Sequence, residues 1–121
     1  MRRPWQMAVI AALASLALAG CGKEEKAAEP VNLDARLADI YSRTCQTCHE
    51  NTETGAPLAH DLTAWKPRVA QGEAVLSDHI INGFKGMPPL GQCIECSADD
   101  LITLMKFMAA PAPETPQEKE H

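Results

Sequence analysis

Cys45-Gln46-Thr47-Cys48-His49 constrains this chain more than any other stretch. Two thiols three positions apart, with an imidazole directly after the second, form the pattern by which haem is attached covalently. The cysteines add to the porphyrin vinyl groups as thioethers, and the histidine is carried to where its ring reaches the iron as proximal ligand. Such a chain keeps its cofactor even when unfolded. Cys-x-x-Cys alone also serves a thioredoxin-like dithiol or half a zinc site, so the remaining residues decide between these readings.

The beginning of the chain points to export. Arg2 and Arg3 precede an apolar Ala/Leu-rich run over residues 7–19. It is too short to span a bilayer and has the layout of an export signal. Leu18-Ala19-Gly20-Cys21 resembles the bacterial lipoprotein signal. The resemblance implies removal of residues 1–20 and acylation of Cys21 as the first mature residue; a simple secretory peptide or an uncleaved anchor are the alternatives. Several acyl chains on one terminus hold a protein at a membrane, where a single chain is marginal. Gly22 rather than Asp after the cysteine resembles the outer-membrane-destined class. The expected location is therefore a bacterial membrane facing the periplasm, with the outer membrane favoured.

Residues 21–30 read as the lipidated terminus and a flexible tether. Residues 111–121, with Pro111, Pro113 and Pro116, read as a disordered Pro/Glu-rich tail. The folded domain is then residues 31–110. Without the two leader arginines, the balance of 11 basic and 16 acidic side chains moves from −5 to about −7. This discourages nucleic-acid binding and favours redox partner proteins that carry basic docking patches. A domain this small generally needs a staple or a prosthetic group to be stable. Its only rings after the leader, apart from histidine, are Tyr41, Trp65, Phe84 and Phe107, and a packed porphyrin would supply the missing core.

Leu33, Leu37, Ile40 and Tyr41 share one face at helical spacing, which predicts a helix over 33–44 with Asn32 as its cap, running directly into the cysteine pair. Residues 51–60 read as a loop. A helical piece is expected from Asp61, interrupted or restarted at Pro67. Another covers 73–81, with Val75, Leu76, His79 and Ile80 available for packing. The last covers 98–108, capped by Ser97, with Leu101, Leu104, Met105 and Met108 inward. No strand candidate is present. The expected fold class is all-α, with the first and last helices crossing.

A haem that carries electrons usually has a sixth ligand. Met105 and Met108 sit in an apolar stripe and read as core. Met87 lies in an aperiodic loop, Asn82-Gly83-Phe84-Lys85-Gly86-Met87-Pro88-Pro89, where the prolines stiffen the backbone beside the thioether. It is the candidate axial ligand, with His60 and His79 as rivals and His121 as a bystander. Cys93 and Cys96 repeat the Cys-x-x-Cys spacing. They suit a disulfide in an oxidising compartment, free thiols, or, with Cys45 and Cys48, a tetrathiolate metal site.

Taken together, residues 31–110 resemble a class I c-type cytochrome of the bacterial cytochrome c-five subgroup. The pentapeptide after the first helix, the Met-Pro-Pro loop and the following Cys-x-x-Cys carry the resemblance. It implies a small helical domain around one covalent haem c, with Cys45 and Cys48 as thioether cysteines and His49 and Met87 as axial ligands. It further implies a Cys93–Cys96 disulfide, a Pro57 carbonyl that accepts a hydrogen bond from the proximal ring, and Trp65 and Arg68 near the haem propionates. Leu90, Gly91 and Gln92 depart from the pattern, standing where lysine and glycine are common. The implied function is electron transfer rather than catalysis. The alternatives are a five-coordinate haem sensor, a small peroxidatic enzyme, or a structural lipoprotein with a tetrathiolate metal site. Oligomeric state is not legible.

Overall fold

The structure is a computed structural model that describes residues 28–114. Cys21, the leader and His121 lie outside the described residues. Five α-helices follow in order: α1 Ala35–Arg43, α2 Gln46–His49, α3 Leu62–Val69, α4 Glu73–Asn82 and α5 Ala98–Ala109, with a 3-10 turn at Pro89–Gln92 before α5. Among the described residues there is no strand, only an isolated bridge between Phe84 and Met87. The expected all-α class holds.

α1 starts two residues later than its apolar spacing predicts. Asp34, not Asn32, is the cap: its backbone is extended and its carboxylate accepts the Leu37 N–H at 2.8 Å. Leu37, Ile40 and Tyr41 face inward, and the Thr44 hydroxyl closes the helix on the Ile40 carbonyl at 2.8 Å. The haem pentapeptide then forms a helical turn of its own, with the His49 N–H on the Cys45 carbonyl at 2.9 Å.

α3 runs through Pro67 without a break. The proline removes one hydrogen bond near the end of a short helix and sits on its exposed side. Trp65, 4% exposed, anchors the opposite face. In α4, Leu76 and Ile80 reach the core while Val75 stays exposed, so only half of the expected packing set is used.

α5 is capped as predicted, and by a full box. Ser97 accepts the Asp100 N–H and Asp100 accepts the Ser97 N–H. Leu101, Leu104, Met105 and Met108 are all buried, so both C-terminal methionines are core residues. α5 packs on α1 through an Arg36–Asp100 ion pair at 2.5 Å and the Tyr41 and Phe107 rings, edge to face at 4.9 Å. It reaches α4 through Lys106 and Glu73 at 2.7 Å. Leu37, Ile40, Trp65, Leu76, Ile80 and the α5 stripe make one core, each large side chain worth about 1.5–3 kcal/mol in burial.

Candidate functional site

α1 and the helical turn after it present Cys45, Cys48 and His49 on adjoining positions. His49 is 7% exposed. Its Nδ1 lies 2.7 Å from the Pro57 carbonyl oxygen. A carbonyl only accepts, so Nδ1 carries the proton and Nε2 keeps its lone pair. The Ala59 N–H returns to the His49 carbonyl at 2.7 Å, and the Trp65 indole N–H donates to the Leu58 carbonyl at 2.8 Å. Three consecutive residues, 57–59, are thereby pinned to His49 and α3. The Trp65 ring lies against the imidazole at 5.9 Å between centroids and 30° between planes. This arrangement fixes ring tautomer and direction, as metal-ligating histidines require.

Cys45 is half-buried, Cys48 is exposed, and neither is bridged. Burial pushes the Cys45 thiol above its ordinary range, opposed by a contact with the Thr44 hydroxyl at 3.4 Å. Cys93 and Cys96, at the same spacing, are joined in a disulfide with Cα atoms 5.4 Å apart. That corrects the tetrathiolate alternative: two of its four thiols are spent on each other, and no metal-binding group of His, Cys, Asp and Glu exists among the described residues.

Met87 is half-buried and borders the same core as Cys45. Its loop is tightly made. The Phe84 N–H meets the Met87 carbonyl at 3.0 Å, and the Met87 N–H meets the Phe84 carbonyl at 2.9 Å. Gly83 (φ 85°) allows the approach: a Cβ there would lie 3.0 Å from the Met87 carbonyl oxygen and 3.1 Å from the Pro89 ring. Gly91 leaves room for the methionine methyl, 3.4 Å from where its Cβ would be.

The rival histidines have other contacts. His60 bonds through its ring Nδ1 to the Ala110 carbonyl at 2.8 Å and through its backbone N–H to the Met108 carbonyl at 2.6 Å, fastening the end of α5. His79 stacks on Phe84 at 3.8 Å. Arg68 is half-buried and donates to the Ala64 carbonyl of its own helix. The Arg36–Asp100 pair and the His60 clasp were invisible to periodicity, because each depends on which segments meet; the Asp34 cap is local, and periodicity missed it because apolar spacing does not locate a helix cap.

The donor set fits a covalent haem. It offers two reduced thiols on one helical turn, an imidazole nitrogen with a free lone pair, and a half-buried thioether, with Cys45 and Met87 packed against the same apolar core.

Comparison with known proteins agrees. Residues 32–108 match the family described as Cytochrome C oxidase, cbb3-type, subunit III. A cytochrome c5 of Ectopseudomonas mendocina is 41% identical over 79 residues, 62% of this chain and 90% of that protein. A cytochrome c5 of Azotobacter vinelandii is 36% identical over 66 residues, 52% of this chain and 78% of that one. A chain from the crystal structure of an electron transfer complex of nitrite reductase with cytochrome c superposes with a TM-score of 0.56 at 29% identity, covering 64% of this chain and 95% of that chain. The chain belongs to the class I c-type cytochromes, in the cytochrome c5 subgroup, and is an electron-transfer protein with covalently bound haem c.

Proposed function

We propose that this cytochrome is a membrane-anchored carrier of single electrons between respiratory or periplasmic redox partners. In this reading Cys45 and Cys48 bind the haem, His49 and Met87 complete a six-coordinate iron, and Cys21 carries the lipid. The observation that carries it is the His49–Pro57 contact at 2.7 Å, which leaves Nε2 as the only ring nitrogen able to ligate.

Bound haem supplies one-electron ferric/ferrous chemistry. The chain supplies the rest. The Pro57 carbonyl raises the basicity of His49, and Trp65 excludes water from one side of the imidazole. A thioether from Met87 raises the reduction potential relative to a stronger donor. Because both ligands sit on pinned segments, little rearrangement accompanies electron gain or loss. The resemblance assigns Arg68, beside Trp65 on α3, to the propionates. No nucleophile or acid/base pair is called for by this chemistry.

The acidic surface supports redox partners with basic patches and an encounter that weakens with salt. The structural neighbour was solved in a complex with nitrite reductase, and a reductase of that general kind is a reasonable class of acceptor. Anchoring rests on Leu18-Ala19-Gly20-Cys21; no helix of the described residues is long and apolar enough to cross a membrane.

The test is an absorption spectrum of the full chain matured in a host competent for export and haem ligation. We expect a covalent haem with a weak far-red band in the oxidised state, lost in Met87→Ala. A high-spin five-coordinate spectrum, or a band that survives Met87→Ala, refutes the ligation. Mass spectrometry of the mature N-terminus tests the anchor separately: an unmodified Cys21 refutes it.

A further inference from the structure

The Met87 loop is one stiff unit, since the paired hydrogen bonds between Phe84 and Met87 make the two residues move together. Lys85, at its tip, has φ 52°. The unit hangs from α4 by Gly83, which has φ 85° and no side chain to fix its direction. Something across that joint has to set where the thioether points.

The side chains that meet across the joint are His79 on α4 and Phe84 on the loop. Their rings are stacked, 3.8 Å between centroids and 13° between planes. On Phe84, the Lys85 ammonium adds a cation–π contact at 5.3 Å from the ring centroid. Phe84 is 45% exposed, so core burial does not explain its fixed position. Pro89 packs close to Gly83, its ring 3.1 Å from where a Cβ there would lie.

We propose that Phe84, clamped on the His79 imidazole, is a positioning residue that latches the Met87 loop closed over the haem site. This rests on Met87 being the axial ligand. A stacked pair of this kind holds the closed loop by a factor of about two to ten over the open one. Opening would withdraw Met87 and let an external ligand reach the iron.

The test uses the haem-loaded full chain and titrates imidazole against the ferric protein, following loss of the far-red band. Phe84→Ala and His79→Ala are each expected to raise the apparent imidazole affinity about two- to tenfold. His79→Phe keeps a stacked ring and restores the wild-type affinity. Ile81→Ala, on the same helix and 38% exposed, lowers the unfolding midpoint but leaves imidazole affinity unchanged. A wild-type protein without the band overturns the ligation and the latch with it. A band present in wild type, with unchanged imidazole affinity in Phe84→Ala, overturns the latch alone. Equal gains in Phe84→Ala and Ile81→Ala do so too, because they report only general loosening.

Discussion

Trp65→Phe isolates the contact that ties α3 to the proximal segment. Phenylalanine keeps a ring beside His49 but has no N–H for the Leu58 carbonyl, which Trp65 reaches at 2.8 Å. The Leu58 carbonyl keeps the Asp61 N–H at 3.2 Å, so losing the indole donor removes one of its two hydrogen bonds, worth about 0.5–1.5 kcal/mol. Trp65 itself is 4% exposed, and the void left by the smaller ring adds about 1 kcal/mol. The expected loss is about 1.5–2.5 kcal/mol, read by denaturant unfolding of the haem-loaded protein with unchanged m-value. In a domain of this size, that lowers the thermal midpoint by about 6–20 °C. Trp65→Leu should cost about 1 kcal/mol more, because it also loses the ring contact at 5.9 Å from His49. A loss below about 0.5 kcal/mol in Trp65→Phe would refute the reasoning, since neither the indole hydrogen bond nor the packing of the larger ring would then contribute.

Other expectations follow from single contacts. Asp100 is held down to about 2 from 3.8, first by the Arg36 hydrogen bond and then by the Ser97 N–H. A carboxyl depressed in the fold stabilises it fully above its unfolded value and loses that contribution as pH falls from about 4 to about 2. The unfolding midpoint of Asp100→Asn should therefore fall less steeply than wild type across that window; parallel curves would refute the coupling. Replacing Cys93 and Cys96 together by alanine opens a loop of sequence separation 3, worth about 2 kcal/mol of unfolded-state entropy, measured by denaturant unfolding. Asp34→Ala removes the α1 cap and should cost about 1 kcal/mol, while Asp34→Asn should cost much less because it caps as well. Equal losses in the two variants would show that charge, not capping, matters there.

The helical character of this chain was legible because local signals agree with one another. Ser97, the acidic first turn and the Leu101, Leu104, Met105, Met108 stripe all specify the same helix, and the structure keeps it. Where signals were weaker, local reading drifted. Asn32 and Asp34 are both good caps, and the choice fell to the residue whose carboxylate reaches the Leu37 N–H. Pro67 reads as a breaker in sequence, yet α3 tolerates it because Trp65 holds the helix from the other side.

The site divides in the same way. Cys45, Cys48 and His49 are close because they are close in the chain, so their chemistry is a local property that the sequence alone determines. The two Cys-x-x-Cys pairs are identical in spacing, and spacing therefore cannot decide which is bridged. Tertiary structure decides it: one pair lies on a helical turn with its thiols unbridged, and the other closes a loop ahead of α5. It brings Pro57 to His49, as the family resemblance implied, and it alone brings Leu58 to Trp65, Ala110 to His60 and Phe84 to His79. Each of these contacts joins a loop to a distant or neighbouring element whose side chain carries no periodic signal, so only the packed chain brings the partners together.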